Sequence, residues 1–413
     1  MDSSLLVIRS RREVPRSELN LSVRRVVVIL SGSRGGSSLF KEVLARHPRV
    51  ASLDGELEPL LTLTGNGFNQ SSDSDAIERV VNAGELANNI LDEISFPSSE
   101  LLDAGRLLRK WRNRLLLQFP MHFLDLDAYG RLERSLKAAL SQIDQGDRRS
   151  EAELQRLVLS NVFSDEPWRM DYYDGNTTQN LGNGFFDEPL KLEEPPFVAP
   201  ALRRRPLAPA DAQDAVLLFK SPSDAYRIGL YEQLFPNAEV TYIHLTRGFA
   251  QSVNGLMDGW LYPRGFFSHD MSSVGCELAI QGYSDTVPFG RKWWKFDLPP
   301  NWRNFTGSSL EDVCLNQWCS VHGAILRSGV RALRVAFEDF IAAPASTLGR
   351  ITHQLGLPPV PLPGTLPVRM ATEPPRSRRW HKRGPLLIKL SRQPEVREMM
   401  GLLGYSMEPD AWL

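Results

Sequence analysis

The chain has 413 residues, of which 42% are hydrophobic, and its formal net charge is −1 at pH 7. This length provides a large core and predicts two or three domains, whereas a nearly neutral chain lacks the positive charge that attracts nucleic acid or an anionic membrane. The three cysteines, Cys276, Cys314 and Cys319, form neither a Cys-x-x-Cys pair nor an even framework, so we expect no disulfide scaffold and no zinc site.

The N-terminal stretch, residues 1–21, is polar and basic, and it lacks the apolar core and cleavage site of a secretory signal. No part of the chain approaches the run of about 18 apolar residues that a membrane-spanning helix needs. We therefore expect a cytoplasmic protein that makes no membrane contact.

The first regular pattern is a strand, a small-residue loop and a helix. The apolar run 26–30 predicts a buried parallel strand, residues 31–38 read Ser-Gly-Ser-Arg-Gly-Gly-Ser-Ser, and residues 39–48 follow a helical pattern. Small side chains let the backbone wrap around an anion, and a helix start points free N–H groups at it. The pattern predicts a phosphate-binding loop, with a plain Gly/Ser turn as the alternative. It is not a Walker A motif, because Ser37 follows Gly36 where that motif has Lys.

Residues 65–212 separate this unit from the next predicted strand. Helical patterns occupy 77–94, 101–119 and 124–143, and the stretch 165–209 is rich in Gly, Asn, Pro, acidic and aromatic residues. We interpret the whole region as a helical, loop-rich insertion that supplies a binding surface. A purely structural elaboration is the alternative.

Strand and helix patterns then alternate. A strand at 215–220 ends in Lys220, a helical pattern covers 224–235, and a strand at 240–246 is followed by Arg247. This alternation predicts a mostly parallel α/β sheet. Active sites of such sheets lie beyond the carboxyl ends of the strands, so Lys220 is a candidate site residue.

Several of these segments resemble the sulfotransferase superfamily. Residues 31–40 are similar to its 5′-phosphosulfate loop, in the Arg-containing form of the carbohydrate and protein-tyrosine branches. Residues 55–59, Gly-Glu-Leu-Glu-Pro, and Lys220-Ser221-Pro222 are similar to motifs of the same branches. The strand and helix patterns at 335–357 and the C-terminal segment 399–405 are also similar to the family. Together these segments extend the resemblance over residues 24–62 and 214–408.

The resemblance implies a P-loop-like, three-layer α/β/α fold with a mainly parallel sheet and a mostly helical insertion. Residues 22–64 and 213–408 would form a discontinuous nucleotide-binding core, and residues 65–212 an acceptor-binding region. The implied reaction moves a sulfuryl group from 3′-phosphoadenosine 5′-phosphosulfate (PAPS) to a hydroxyl of a sugar, phenol or other small-molecule or glycan acceptor. Adenosine 3′,5′-bisphosphate is the second product, and no metal is required.

Implied donor contacts involve the loop and two cations. Gly35, Gly36, Ser37 and Ser38 would hold the phosphosulfate, and the guanidinium of Arg34 can bind its oxygens bidentately. Lys220 would touch the oxygen that bridges phosphorus and sulfur, where negative charge develops as the S–O bond breaks. The alternatives are a surface Arg at a helix start and a solvated Lys at a strand end.

Two carboxylates are candidates for removing the acceptor's proton. Glu56 resembles the base of the tyrosine-modifying branch, and Glu58, before Pro59, resembles the Glu-Pro of the carbohydrate branch. A carboxylate within hydrogen-bond reach of a hydroxyl can act as its general base. We slightly prefer Glu56. The alternative is that neither carboxylate is catalytic.

The resemblance assigns the 3′-phosphate to Arg247. The family places a Ser on the following helix, where this chain has Asn254 and Gly255, so Asn254 is the candidate and Ser252 the reserve. The basic run 376–383 resembles the segment that closes over the nucleotide, which makes Arg379 and Trp380 candidate contacts; a solvated basic loop is the alternative.

Two other functions fit parts of the pattern. A P-loop kinase-like phosphotransferase would need a Lys after Gly36 and an acidic residue at a strand end, and neither is evident. A non-catalytic nucleotide-binding protein gains some support from the missing Ser after Arg247, whereas the intact Arg34, Lys220 and Glu56 count against it.

Overall fold

The computed structural model describes residues 3–175, 186, 188–361 and 365–412. Within these ranges the strands form a seven-stranded sheet and a separate two-stranded one. The strands of the large sheet are β1 (Arg25–Leu30), β2 (Val50–Ser52), β3 (Ser95–Pro97), β4 (Arg204–Pro206), β5 (Val216–Lys220), β6 (Glu239–Thr246) and β9 (Ala332–Ala336). The small sheet pairs β7 (Phe267–Asp270) with β8 (Trp293–Lys295).

The α-helices follow the chain in two groups. Those before β5 are α1 (Ser3–Arg11), α2 (Ser37–Leu44), α3 (Glu58–Leu63), α4 (Ala83–Glu93), α5 (Ala104–Gln118), α6 (Leu126–Leu140) and α7 (Glu151–Val162). Those after it are α8 (Leu230–Leu234), α9 (Phe249–Trp260), α10 (Leu310–Arg327), α11 (Phe337–Ala342), α12 (Pro344–Gln354), α13 (Gly384–Leu390) and α14 (Pro394–Leu403). None of the helices in the described ranges is long and apolar enough to cross a membrane.

The large sheet is mainly parallel, in the order β4-β3-β2-β5-β1-β6-β9. Strands β2, β5, β1, β6 and β9 run parallel to one another, and β3 pairs antiparallel with both β2 and β4. The predicted α/β class with a mainly parallel central sheet is therefore confirmed. Its central strands carry their apolar runs because both faces are covered by helices.

Alternate residues of β1 belong to two different cores. Val26 and Val28 face a core that includes residues of α5, α6 and α10, whereas Val27 and Ile29 face one shared with α2 and α12. All four side chains are at most 2% exposed. A strand buried on both faces needs an uninterrupted apolar sequence, which explains why this run was easy to recognise.

The region 65–212 is helical, as predicted, but it also adds β3 and β4 to the sheet. Helices α5 and α6 match their predicted ranges within three residues, whereas α4 begins six residues later than the pattern indicated. Helix α7 was not predicted, although Ser150 and Glu153 form a capping box at its start. The assignment of this region as a separate acceptor-binding domain stays a prediction.

Candidate functional site

A cavity of about 860 Å³ lies beyond the carboxyl ends of β1, β5 and β6. Parallel strands bring these ends to one edge of the sheet, which is where the site was expected. Most of the predicted site residues line this cavity, namely Arg34, Gly36, Ser37, Ser38, Glu56, Glu58, Lys220, Arg247, Asn254, Arg379 and Trp380. Gly35 and Ser252 are not among its lining residues.

The loop between β1 and α2 needs both of its central glycines. Gly36 precedes α2 with φ +89°, and a Cβ there would lie 2.2 Å from the ring of Phe337. A Cβ on Gly35 would lie 2.7 Å from the carbonyl oxygen of Gly32. The tight turn directs the free N–H groups at the start of α2 into the cavity wall.

We expect Gly36→Ala to destabilise the protein by about 2 kcal/mol or more, because the new side chain is both strained and in contact with Phe337. Urea unfolding measures this loss. Gly349→Ala, in α12 with open space around its Cα, is the matched control and should be neutral or slightly stabilising. Equal stability of the two variants would contradict the prediction.

Three arginines converge on the loop. Arg34 donates from Nη1 to the carbonyl oxygen of Met370 at 2.6 Å, and Arg247 donates from Nη1 to the carbonyl oxygen of Arg34 at 2.8 Å. Burial, followed by the charges of Arg247 and Arg379, lowers the pKa of Arg34 to about 10. Arg34 therefore remains charged at neutral pH, and an anion bound beside it would offset its repulsion with Arg247.

The buried Nε of Arg34 has no hydrogen-bond partner among the described residues. A buried donor without an acceptor is uncommon, and a phosphate or sulfonate oxygen would satisfy it. The arginine cluster and this unsatisfied donor fit the phosphosulfate group that the sequence predicts here.

The two candidate bases lie in the cavity, and each has a cationic partner. Glu56 forms an ion pair with Lys220, whose side chain is 7% exposed. Glu58 accepts hydrogen bonds from the hydroxyl of Ser221 and, at 2.8 Å, from Arg227. Both carboxylates therefore remain candidate general bases. Glu56 is in direct contact with Lys220, the cation expected to face the reacting centre.

The candidates for the 3′-phosphate differ in position. The hydroxyl of Ser252 is directed at the carbonyl oxygen of Arg247, 3.4 Å away, whereas Asn254 faces the cavity and its Oδ1 accepts from Arg383 at 2.6 Å. A Cβ on Gly255 would lie 3.2 Å from Cβ of Arg34. Gly255 therefore makes room for Arg34, which a larger side chain at this position would crowd.

The basic segment is held by ion pairs. Asp258 on α9 accepts from Arg379 at 3.0 Å, from Lys382 at 2.8 Å and from Arg383 at 2.6 Å. Trp380 is 5% exposed and packs edge-on against Trp412, with ring centroids 5.1 Å apart. Most of the Trp380 side chain is therefore in contact with other protein groups. Contacts of Trp380 and Arg379 with a nucleotide stay predictions.

Sequence reasoning missed three residues that also line the cavity: Asp75, Glu194 and His269. Nε2 of His269 lies 2.8 Å from Oδ1 of Asp75, and the hydroxyl of Ser268 donates to Glu194. They come from distant parts of the chain and share no local motif, so only the folded structure brings them together. No group of three or more His, Cys, Asp or Glu side chains in the described residues is arranged to hold a metal ion.

Comparison with known proteins yields little beyond this geometry. No protein-family model matches the chain, and no curated protein matches it. Among solved structures it is similar to a sulfotransferase from Mycobacterium tuberculosis H37Rv, with 11% sequence identity, 94% of this chain and 74% of that chain covered, and a TM-score of 0.28. So loose a likeness does not establish shared membership of a family, and the functional conclusions below rest on the cavity.

Proposed function

We propose that the protein is a sulfotransferase that moves a sulfuryl group from PAPS to a hydroxyl of a small-molecule or glycan acceptor. The supporting observation is that Arg34, Arg247, Arg379 and Lys220 line one cavity with a glycine loop at the carboxyl edge of a parallel sheet. These groups match the two anionic ends of that donor, a phosphosulfate and a 3′-phosphate. A Walker-type kinase site is less well matched, because Ser37 stands in place of its Lys.

The chain's own groups have distinct tasks in this reaction. When bound, PAPS supplies the electrophilic sulfur and a phosphate leaving group. The loop amides and Arg34 hold the phosphosulfate end, and Arg247 with Asn254 holds the 3′-phosphate. The acceptor oxygen bonds to sulfur as the S–O bond to phosphate breaks, and the ammonium of Lys220 stabilises the negative charge on the departing oxygen.

Glu56 or Glu58 accepts the acceptor's hydroxyl proton in this proposal, because a hydroxyl is a weak nucleophile until its proton is removed. We prefer Glu56. Its ion pair with Lys220 places the proton acceptor and the charge-stabilising cation side by side.

Calorimetry with adenosine 3′,5′-bisphosphate tests the donor site first. We expect binding, weakened about 10-fold or more in Arg34→Ala, because a charge-assisted hydrogen bond contributes about 1.5–3 kcal/mol. ATP should bind more weakly than the bisphosphate. Absence of bisphosphate binding would refute the proposal.

Transfer of labelled sulfate from PAPS to a panel of sugars, phenols and amino alcohols is the second step. Transfer to any member, abolished by heat denaturation, would support the proposed reaction. Tight bisphosphate binding without transfer to any member would favour a non-catalytic nucleotide-binding protein instead.

A further inference from the structure

A second wall of the cavity combines carboxylates with aromatic rings, and the proposed mechanism does not use it. Residues 189–198, the loop 66–70 and β7 contribute to this wall. It contains Glu194, Asp270, Phe267, Trp293 and, at its base, the His269–Asp75 pair. Because it adjoins Glu56 and Glu58, it lies where an acceptor would meet the transferred group.

Glu194 forms no ion pair with any residue that the structure describes. Four nearby carboxylates are paired: Glu56 with Lys220, Glu58 with Arg227, Asp75 with His269, and Asp270 with Lys292. Asp297 lacks a cation, but both its oxygens accept hydroxyl hydrogen bonds, from Ser33 and Tyr226. In the part of the chain that the structure describes, Glu194 has only the hydroxyl of Ser268.

One further acceptor atom at this wall has no donor. Oε2 of Glu58 is buried and has no hydrogen-bond partner among the described residues. Nδ1 of His269 is also buried without a partner, but although burial lowers the pKa of this imidazole, Asp75 raises it above its usual value, and in the charged ring Nδ1–H is a donor. Buried polar atoms are normally paired, so Oε2 of Glu58 points to a ligand that brings an N–H or O–H donor.

The aromatic rings of the wall already contact a lysine amino group. Nζ of Lys191 lies 3.8 Å from the ring centroid of Trp293 and 4.4 Å from that of Phe267. The negative faces of these rings, together with an unpaired carboxylate, form an environment that stabilises a primary ammonium.

We propose, building on the sulfotransferase function above, that the acceptor carries an ammonium group beside its reactive hydroxyl and that Glu194 binds this ammonium. An ammonium supplies both the missing positive charge and three hydrogen-bond donors. A neutral polyol supplies donors only, and an anionic acceptor would be repelled by the carboxylates. The aromatic rings provide the apolar part of the same subsite.

The ionisation of Glu194 gives this subsite a pH signature. Burial is the main cause that raises the pKa of Glu194 to about 7, and the charges of Glu56 and Glu58 add to it, whereas Ser268 and His269 oppose it. Lys295 also faces Glu194, but its amino group donates to three backbone carbonyl oxygens, and burial holds its pKa well below the usual range. Glu194 is thus charged above pH 7 and neutral below it, so ammonium binding should weaken as the pH falls.

Matched ligands test the subsite by equilibrium calorimetry in the presence of adenosine 3′,5′-bisphosphate. The pairs are tyramine with N-acetyltyramine and ethanolamine with N-acetylethanolamine; both amines stay charged between pH 6 and 8. At least one amine should bind about 10-fold more tightly than its acetylated partner at pH 8. Its affinity should fall about 10-fold at pH 6, because the ionised fraction of a carboxyl with a pKa near 7 falls from about 0.9 to about 0.1.

Two variants separate Glu194 from a carboxylate outside the cavity. Glu194→Gln should remove both the preference for the amine and its pH dependence, while Glu277→Gln, which alters an exposed carboxylate that pairs with Arg291 and does not line the cavity, should retain both. The inference is overturned if no amine binds more tightly than its partner, including the case in which neither binds, or if the preference survives in Glu194→Gln. Bisphosphate binding, measured first, reports separately on the proposed function.

Discussion

Replacing Lys220 with methionine should lower the rate of sulfuryl transfer by about 100- to 1000-fold, the usual effect of removing one group that stabilises developing charge. Methionine keeps most of the side-chain length but carries no charge. Single-turnover measurements with labelled PAPS at saturating concentration would report the chemical step. The free energy of unfolding should change by less than about 1 kcal/mol, since Glu56 is 37% exposed and can remain hydrated without its partner.

Lys389→Met is the matched control, because Lys389 is an exposed residue of α13 outside the cavity lining. This variant removes the same charge from the protein and should transfer at the wild-type rate. A Lys220→Met enzyme with wild-type turnover and intact bisphosphate binding would show that the departing oxygen is stabilised by other groups.

The elements that sequence alone predicted well are those whose signal is local. Strands β1 and β5 are buried on both faces, so their sequences are nearly continuous apolar runs. Lys220 ends β5, and Arg247 directly follows the buried second half of β6. The loop before α2 is recognisable because close backbone packing, such as that of Gly36 against Phe337, excludes any side chain.

Other features could not be read from local sequence. Strands β3 and β4 have three residues each, too few to show an alternating pattern, and they form through antiparallel pairing at the sheet edge. The wall containing Glu194 and His269 is built from segments that are far apart in the sequence. His269 and Asp75, which are in contact, are separated by 194 residues. Tertiary contacts alone define such a site.

Glu56→Gln should reduce turnover by about 100-fold or more while leaving bisphosphate affinity intact, if Glu56 accepts the acceptor's proton. The amide keeps the shape of the side chain but cannot take up a proton at neutral pH. Single-turnover rates at saturating PAPS would separate this chemical effect from a change in donor binding.

Glu58→Gln should show the opposite balance of effects. Its partner Arg227 has a side chain only 2% exposed and would retain Asp224, 2.8 Å away, as its single carboxylate partner. We therefore expect a stability loss of about 1–3 kcal/mol and a much smaller change in turnover than in Glu56→Gln. If the turnover effects are reversed, Glu58 is the proton acceptor. If both variants turn over normally, neither carboxylate takes the proton, and His269, the histidine that lines the same cavity, becomes the residue to substitute next.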